Sequence, residues 1–166
     1  MPRWEPDQTV EQSLLERLID LEPKNASEQP VTRAQSVRQL KASLRRDLEW
    51  LLNTRRTPEA AGSEFQELER SLFNYGLPDL TTLNWESTHD RAYLARMIET
   101  VLGVFEPRLR RIKVSPVGEL SATQNVLRFQ IDGLLDMKPV AERISFDTVL
   151  QLSSGEYQVK GDPSAG

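Results

Sequence analysis

The sequence has no cysteine and a single histidine, His89, in 166 residues. Disulfides, thiolate nucleophiles and cysteine metal sites are therefore excluded, and there is no second imidazole with which to build a histidine metal centre. No apolar run approaches the roughly 18 to 20 residues that span a bilayer, and Met1-Pro2-Arg3-Trp4-Glu5 starts no signal peptide. Residence in the cytoplasm is the expectation. A glycine-rich phosphate loop and a Ser–His–Asp order in a convincing context are missing as well, so no cofactor is expected. The 25 acidic residues outnumber the 21 basic ones, for a net charge of −4, which lacks the basic excess of a general nucleic-acid binder.

What is present is a chain long enough for one domain with a proper core. Its 38% hydrophobic and 28% charged residues imply an extensive polar surface. Thr9 with Gln12 reads as a capping box, and Val10, Leu14, Leu18 and Leu21 share the helical face that follows. Pro23 ends that helix, and residues 23–30, bounded by prolines and without apolar periodicity, read as a solvated linker. The expected organisation is an N-terminal helix and linker arm over residues 1–30, the domain over 31–160 and a flexible tail over 161–166.

From Thr32 or Ser36, the residues Val37, Leu40, Leu44, Leu48 and Leu51 form a sustained stripe that predicts the longest helix. Asp47 and Glu49 interrupt the basic residues Arg45, Arg46, Arg55 and Arg56, a pattern of a solvated helix face rather than a nucleic-acid patch. After a break at Thr57-Pro58 and Ala61-Gly62-Ser63, Phe65, Leu68 and Leu72 define a short helix closed by Asn74-Tyr75-Gly76, with Pro78 behind it. Ser87 and Asp90 form a second capping box, for a helix striped by Leu94, Ile98, Val101, Leu102 and Phe105. His89 falls in its first turn and is expected exposed and neutral.

At Glu106-Pro107-Arg108 the character of the chain changes. Proline removes a backbone donor and disfavours helix at Glu106, so the helix should stop there. Beyond it the period is two: Ile112 and Val114, then Leu127, Phe129 and Ile131, then Ile144, Phe146, Thr148, Leu150 and Leu152, and a short final strand at Tyr157-Gln158-Val159. Pro116 and Gly118 mark a loop. The fold class expected is α+β, with N-terminal helices packed on one face of a small antiparallel β-sheet formed by the C-terminal third. Such a sheet has edges that are liabilities or binding sites.

Glu106 can be drawn as the acid of a glycoside hydrolase, with Asp132 or Asp136 as its second carboxylate at about 5 to 9.5 Å. Arg108, Arg110 and Arg111 beside it are the neighbours of a charged carboxylate rather than of a proton donor. The alternative is interaction: in an extended segment Glu106 and Arg108 project to one side and can exchange charge-assisted hydrogen bonds with a partner. An ordinary surface ion pair at a turn is the third reading.

Val104-Phe105-Glu106-Pro107-Arg108-Leu109 followed by Ile112-Lys113-Val114, with Ser71-Leu72-Phe73-Asn74-Tyr75-Gly76-Leu77-Pro78-Asp79 upstream, resembles the TssE family of type VI secretion baseplate wedge subunits. That family belongs to the contractile-phage baseplate wedge proteins historically labelled lysozyme-like. The resemblance spans about residues 36 to 160. It implies a structural, non-enzymatic component of a cytoplasmic baseplate beneath the inner membrane that starts assembly of a contractile sheath. Implied partners are the wedge subunits TssF and TssG, contacted through Glu106, Pro107, Arg108 and Arg110. The sheath proteins TssB and TssC would join the C-terminal sheet by strand addition, with Ile144, Phe146, Thr148, Leu150, Tyr157 and Val159 on the contact strands. Neither nucleic acid nor membrane insertion is implied, and the competing reading is a peptidoglycan hydrolase with Glu106 as acid.

Overall fold

Capping residues start the helices where the sequence supplies them. In the computed structural model, which describes residues 10, 13–18, 32–58, 65–121, 125–138 and 140–161, the chain divides into two units, residues 1–44 and 45–166. The first unit holds helix α1, Leu14–Leu18, and the first turns of helix α2, Arg33–Asn53. Ser13 and Glu16 cap α1 reciprocally, and Thr32 and Gln35 do the same for α2. The expected Thr9–Gln12 box, Leu21, residues 23–30 and most of the tail lie outside the described residues. Leu14 and Leu18 are exposed, at 75% and 81%.

In the second unit the last turns of α2 bury Leu48 and Leu51, as the stripe predicts, and Leu52 as well. The segment carrying Phe65, Leu68 and Leu72 differs from the expected α-helix. It forms two 3-10 turns, Gln66–Arg70 and Leu72–Asn74, and leaves Phe65 and Leu72 exposed, because tight turns of this kind cannot sustain a 3.6-residue stripe. Helix α3, Thr88–Phe105, starts at Ser87, whose hydroxyl accepts from the Asp90 N–H, and buries Leu94, Ala95, Ile98, Val101 and Leu102.

The C-terminal part is a four-stranded antiparallel sheet in the order β1-β2-β3-β4, so the fold is α+β as the alternation predicts. The strands are β1 Leu109–Ser121, β2 Val126–Leu135, β3 Glu142–Gln151 and β4 Glu156–Lys160. The register sets Ile131 opposite Phe146, Phe129 opposite Thr148 and Leu150 opposite Tyr157, all buried on one face. Each such large side chain withdrawn from water contributes roughly 1.5 to 3 kcal/mol.

Strand β1 is longer than its sequence implies and runs through Pro116 and Gly118, the expected loop. Proline is tolerated because β1 is an edge strand, where a missing N–H removes no ladder bond. A register shift between Arg110 and Lys113, with Arg111 at φ 52°, changes the phase of β1. Leu109 and Val114, an odd number of positions apart, therefore both reach the core.

Candidate functional site

Helix α3 ends at Phe105, where the proline that follows Glu106 stops it. The Glu106 N–H donates to Leu102 O at 2.9 Å, and the Leu109 N–H returns to Glu106 O at 3.1 Å, so the corner is a closed turn between α3 and β1. Within it the Glu106 carboxylate is 5% exposed and accepts from Arg108 through both oxygens, Nε–Oε1 at 2.7 Å and Nη2–Oε2 at 2.6 Å. The same Nη2 donates to Asp47 Oδ2 at 2.7 Å, reaching across from α2. The bidentate Glu106 contact, first among the causes, holds the guanidinium above its ordinary pKa, so it stays charged across the accessible pH range.

The upstream corner joins the same cluster. The Tyr75 ring stands edge-on to Phe105 at 5.3 Å, and burial, then the charges of Asp47 and Glu106, raise the pKa of its hydroxyl. Gly76 adopts φ +101° against Thr54, whose carbonyl oxygen would lie 2.3 Å from any Cβ placed there. That approach lets Leu77 N–H donate to Thr54 O at 2.9 Å and Arg56 N–H to Leu77 O at 3.0 Å, a one-bridge seam that fixes the corner. Two motifs about thirty positions apart in sequence thus meet at one place.

Glu106-Pro107-Arg108 is a turn rather than the expected extended segment, and Glu106 and Arg108 pair with each other, the ion pair at a turn that was the third reading, with Asp47 as a further acceptor from within the chain. In the sequence Asp47 stands only as an interruption of a basic run. No local spacing rule connects it to a residue 61 positions away. Arg110 does not contact this cluster: it is exposed and pairs with Asp136 beside the corner, where Asp136 N–H also donates to Arg108 O. Asp132 lies within 3.4 Å of Gln130 Nε2. The acids drawn as catalytic partners of Glu106 are thus engaged elsewhere, and both oxygens of Glu106 are taken by Arg108. His89 is exposed beside Asp90, and no metal-competent group of three acids or histidines occurs among the described residues.

The side chains of Ile144, Phe146, Thr148, Leu150, Tyr157 and Val159 are all buried. Only main chain at a sheet edge remains there for strand pairing. The hydroxyls of Thr148 and Tyr157 have no hydrogen-bond partner among the described residues, and burial raises the pKa of Tyr157 strongly.

A family model described as "Baseplate wedge protein gp25" matches residues 38–140, well over half of the chain. The chain belongs to this baseplate wedge family. The matched range contains Asp47, Tyr75-Gly76-Leu77-Pro78 and Glu106-Pro107-Arg108, so every member of the buried cluster falls inside the family's extent. A chain in a solved structure, "The baseplate complex from the type VI secretion system", is 22% identical, with 69% of this chain and 96% of that chain covered and a TM-score of 0.43. Among curated proteins none matches. No described helix is long and apolar enough to cross a membrane.

Proposed function

We propose that this wedge-family protein is a structural subunit of a type VI secretion baseplate, joining wedge subunits of the TssF and TssG kind and initiating polymerisation of a TssB–TssC sheath. The observation that carries the reading is that the family match encloses the whole Glu106–Arg108–Asp47 corner, a charge-paired turn in which both carboxylate oxygens of Glu106 accept from Arg108. Arg108 keeps 24% of its side chain exposed while its inner face is tied down, which suits an anchor already held in its binding geometry. Arg110, exposed beside it, extends the same surface. In this reading Glu106 and Pro107 set the shape of the contact, and Arg108 and Arg110 meet the partner.

The sheath would be started by strand pairing on the C-terminal sheet, main-chain bonds supplying adhesion and the alternation of side chains supplying register. Work at the cytoplasmic face of the inner membrane follows from that role. Co-expression with TssF and TssG tests the reading. A stable complex that Arg110→Glu weakens is the expected result, and absence of any complex with the wild-type chain overturns it. The hydrolase alternative predicts turnover of purified peptidoglycan that Glu106→Gln abolishes; the structural role predicts no turnover by the wild type.

A further inference from the structure

Among the described residues, positive φ occurs at Gly76, Gly118 and Gly155, at Asn125 and at Arg111. Glycine meets no Cβ penalty there, and asparagine is the residue that next best tolerates the conformation. Arg111, at φ 52°, belongs to neither type. It lies in the register shift between Arg110 and Lys113, and the left-handed position of such a bulge is ordinarily glycine's. A residue with a long side chain is strained here, and strain of this kind persists only where something outweighs it.

Nothing among the described residues does so. The other cations of the corner and of the first residues of β1 are each matched by an acid of the same chain, Arg108 by Glu106 and Asp47, Arg110 by Asp136 and Lys113 by Glu99. Arg111 is exposed and has no hydrogen bond, ion pair or ring contact with a described residue. Its charge is the one left unmatched in this group. Solubility alone does not account for an arginine at this place, because glycine or asparagine, used at the other left-handed positions, would suit the bulge better.

We infer that Arg111 is the contact by which the Glu106–Arg108 corner recognises its partner, and that it pairs with a carboxylate on that partner. The inference rests on the reading above, in which wedge subunits dock at this corner. A guanidinium holds a carboxylate through two parallel hydrogen bonds. The bulge fixes the direction in which the side chain leaves the main chain, so part of the ordering that binding requires is already present in the folded protein. A phosphate backbone is a poorer match, because it calls for several unmatched cations side by side and three of the four here are neutralised by their own acids.

Arg111→Gly and Arg111→Asn remove the cation and relieve the backbone. Both should keep or raise the urea midpoint, glycine by about 0.3 M, while binding to a purified TssF–TssG complex weakens at least about tenfold. Arg111→Lys retains a charge without the two-pronged contact, and its affinity should lie between. A lower midpoint for both neutral variants would show that Arg111 serves the fold and overturns the inference. Wild-type affinity in both, with the midpoint kept, overturns it as well. Duplex DNA retained at physiological salt by the wild type and released by Arg111→Asn would make the ligand a phosphate and overturn the carboxylate assignment. If the wild type forms no complex with TssF and TssG, the preceding reading fails and this inference with it; a wild-type complex indifferent to Arg111 refutes this inference alone.

Discussion

Replacing Arg108 by methionine removes the cation that three carboxylate contacts converge on. It leaves Glu106, 5% exposed, with no charged partner and a desolvated carboxylate. Breaking a buried pair by deleting one member typically costs about 3 to 5 kcal/mol. Arg108 and Asp47 keep 24% and 27% of their side chains in solvent, so water recovers part of the loss and the lower figure, about 3 kcal/mol, applies. Against a total stability of about 5 to 15 kcal/mol that is a large fraction. With a urea dependence of about 2 kcal/mol per molar, the unfolding midpoint should fall by about 1.5 M. Adding Glu106→Gln to Arg108→Met should return part of this, a coupling of about 1 to 3 kcal/mol in a double-mutant cycle. Lysine at 108 keeps the charge but not the two-pronged contact and should fall between. A midpoint for Arg108→Met equal to wild type would refute the buried-network account. One consequence is that charge reversal at Arg108 is not a clean interface test. Arg108→Glu sets a third carboxylate beside Glu106 and Asp47 and attacks the fold as well.

Gly76→Ala should cost about 3 kcal/mol or more, from a positive φ and a clash with Thr54 O, while Gly103→Ala, with nothing within 4 Å of the new Cβ, should gain about 0.5 to 1 kcal/mol; denaturant midpoints of the two variants separate the effects. Tyr157→Phe removes a buried hydroxyl without a partner among the described residues and should leave the midpoint unchanged or raise it by about 1 kcal/mol. The Asn84 N–H, then the His89 side chain, hold the Asp90 carboxylate below its ordinary 3.8. Its contribution is therefore complete above that value and fades as pH falls through the lower folded value, so the Tm gap between wild type and Asp90→Asn should shrink as pH is taken from about 6 towards about 2.

Much of this fold is written locally. The α2 stripe, the Ser87 cap and the proline stop after Glu106 each depend on neighbours a few positions away, and the structure has α2, α3 and the α3–β1 corner where those signals put them. Alternation in β2 and β3 likewise announces a sheet with one covered face. What escaped depends on distance or phase. Pro116 and Gly118 read as a loop because nothing local says that β1 is an edge strand able to carry a proline. The bulge at Arg111 is visible only once Leu109 and Val114 are seen to face the same core. The Phe65–Leu72 stripe misled because apolar spacing cannot distinguish an α-turn from successive 3-10 turns. In the candidate site, a Glu106–Arg108 ion pair at a turn was one of three readings that their spacing leaves open, and its completion by Asp47 was not legible. The same holds for Asn53 and Glu49 against β4, contacts of more than a hundred positions in separation.

The proposed role is that of a baseplate subunit on which a contractile sheath nucleates, rather than an enzyme that cuts a polymer. Sheath formation in cells lacking the chain, followed with a fluorescent sheath subunit, measures it most directly. No extended sheaths should form without the chain, and wild type and Glu106→Gln, which keeps an acceptor at the corner, should both restore them. Normal sheaths in the deletion strain, or restoration by wild type but not by a folded Glu106→Gln protein together with measurable peptidoglycan turnover, would contradict it.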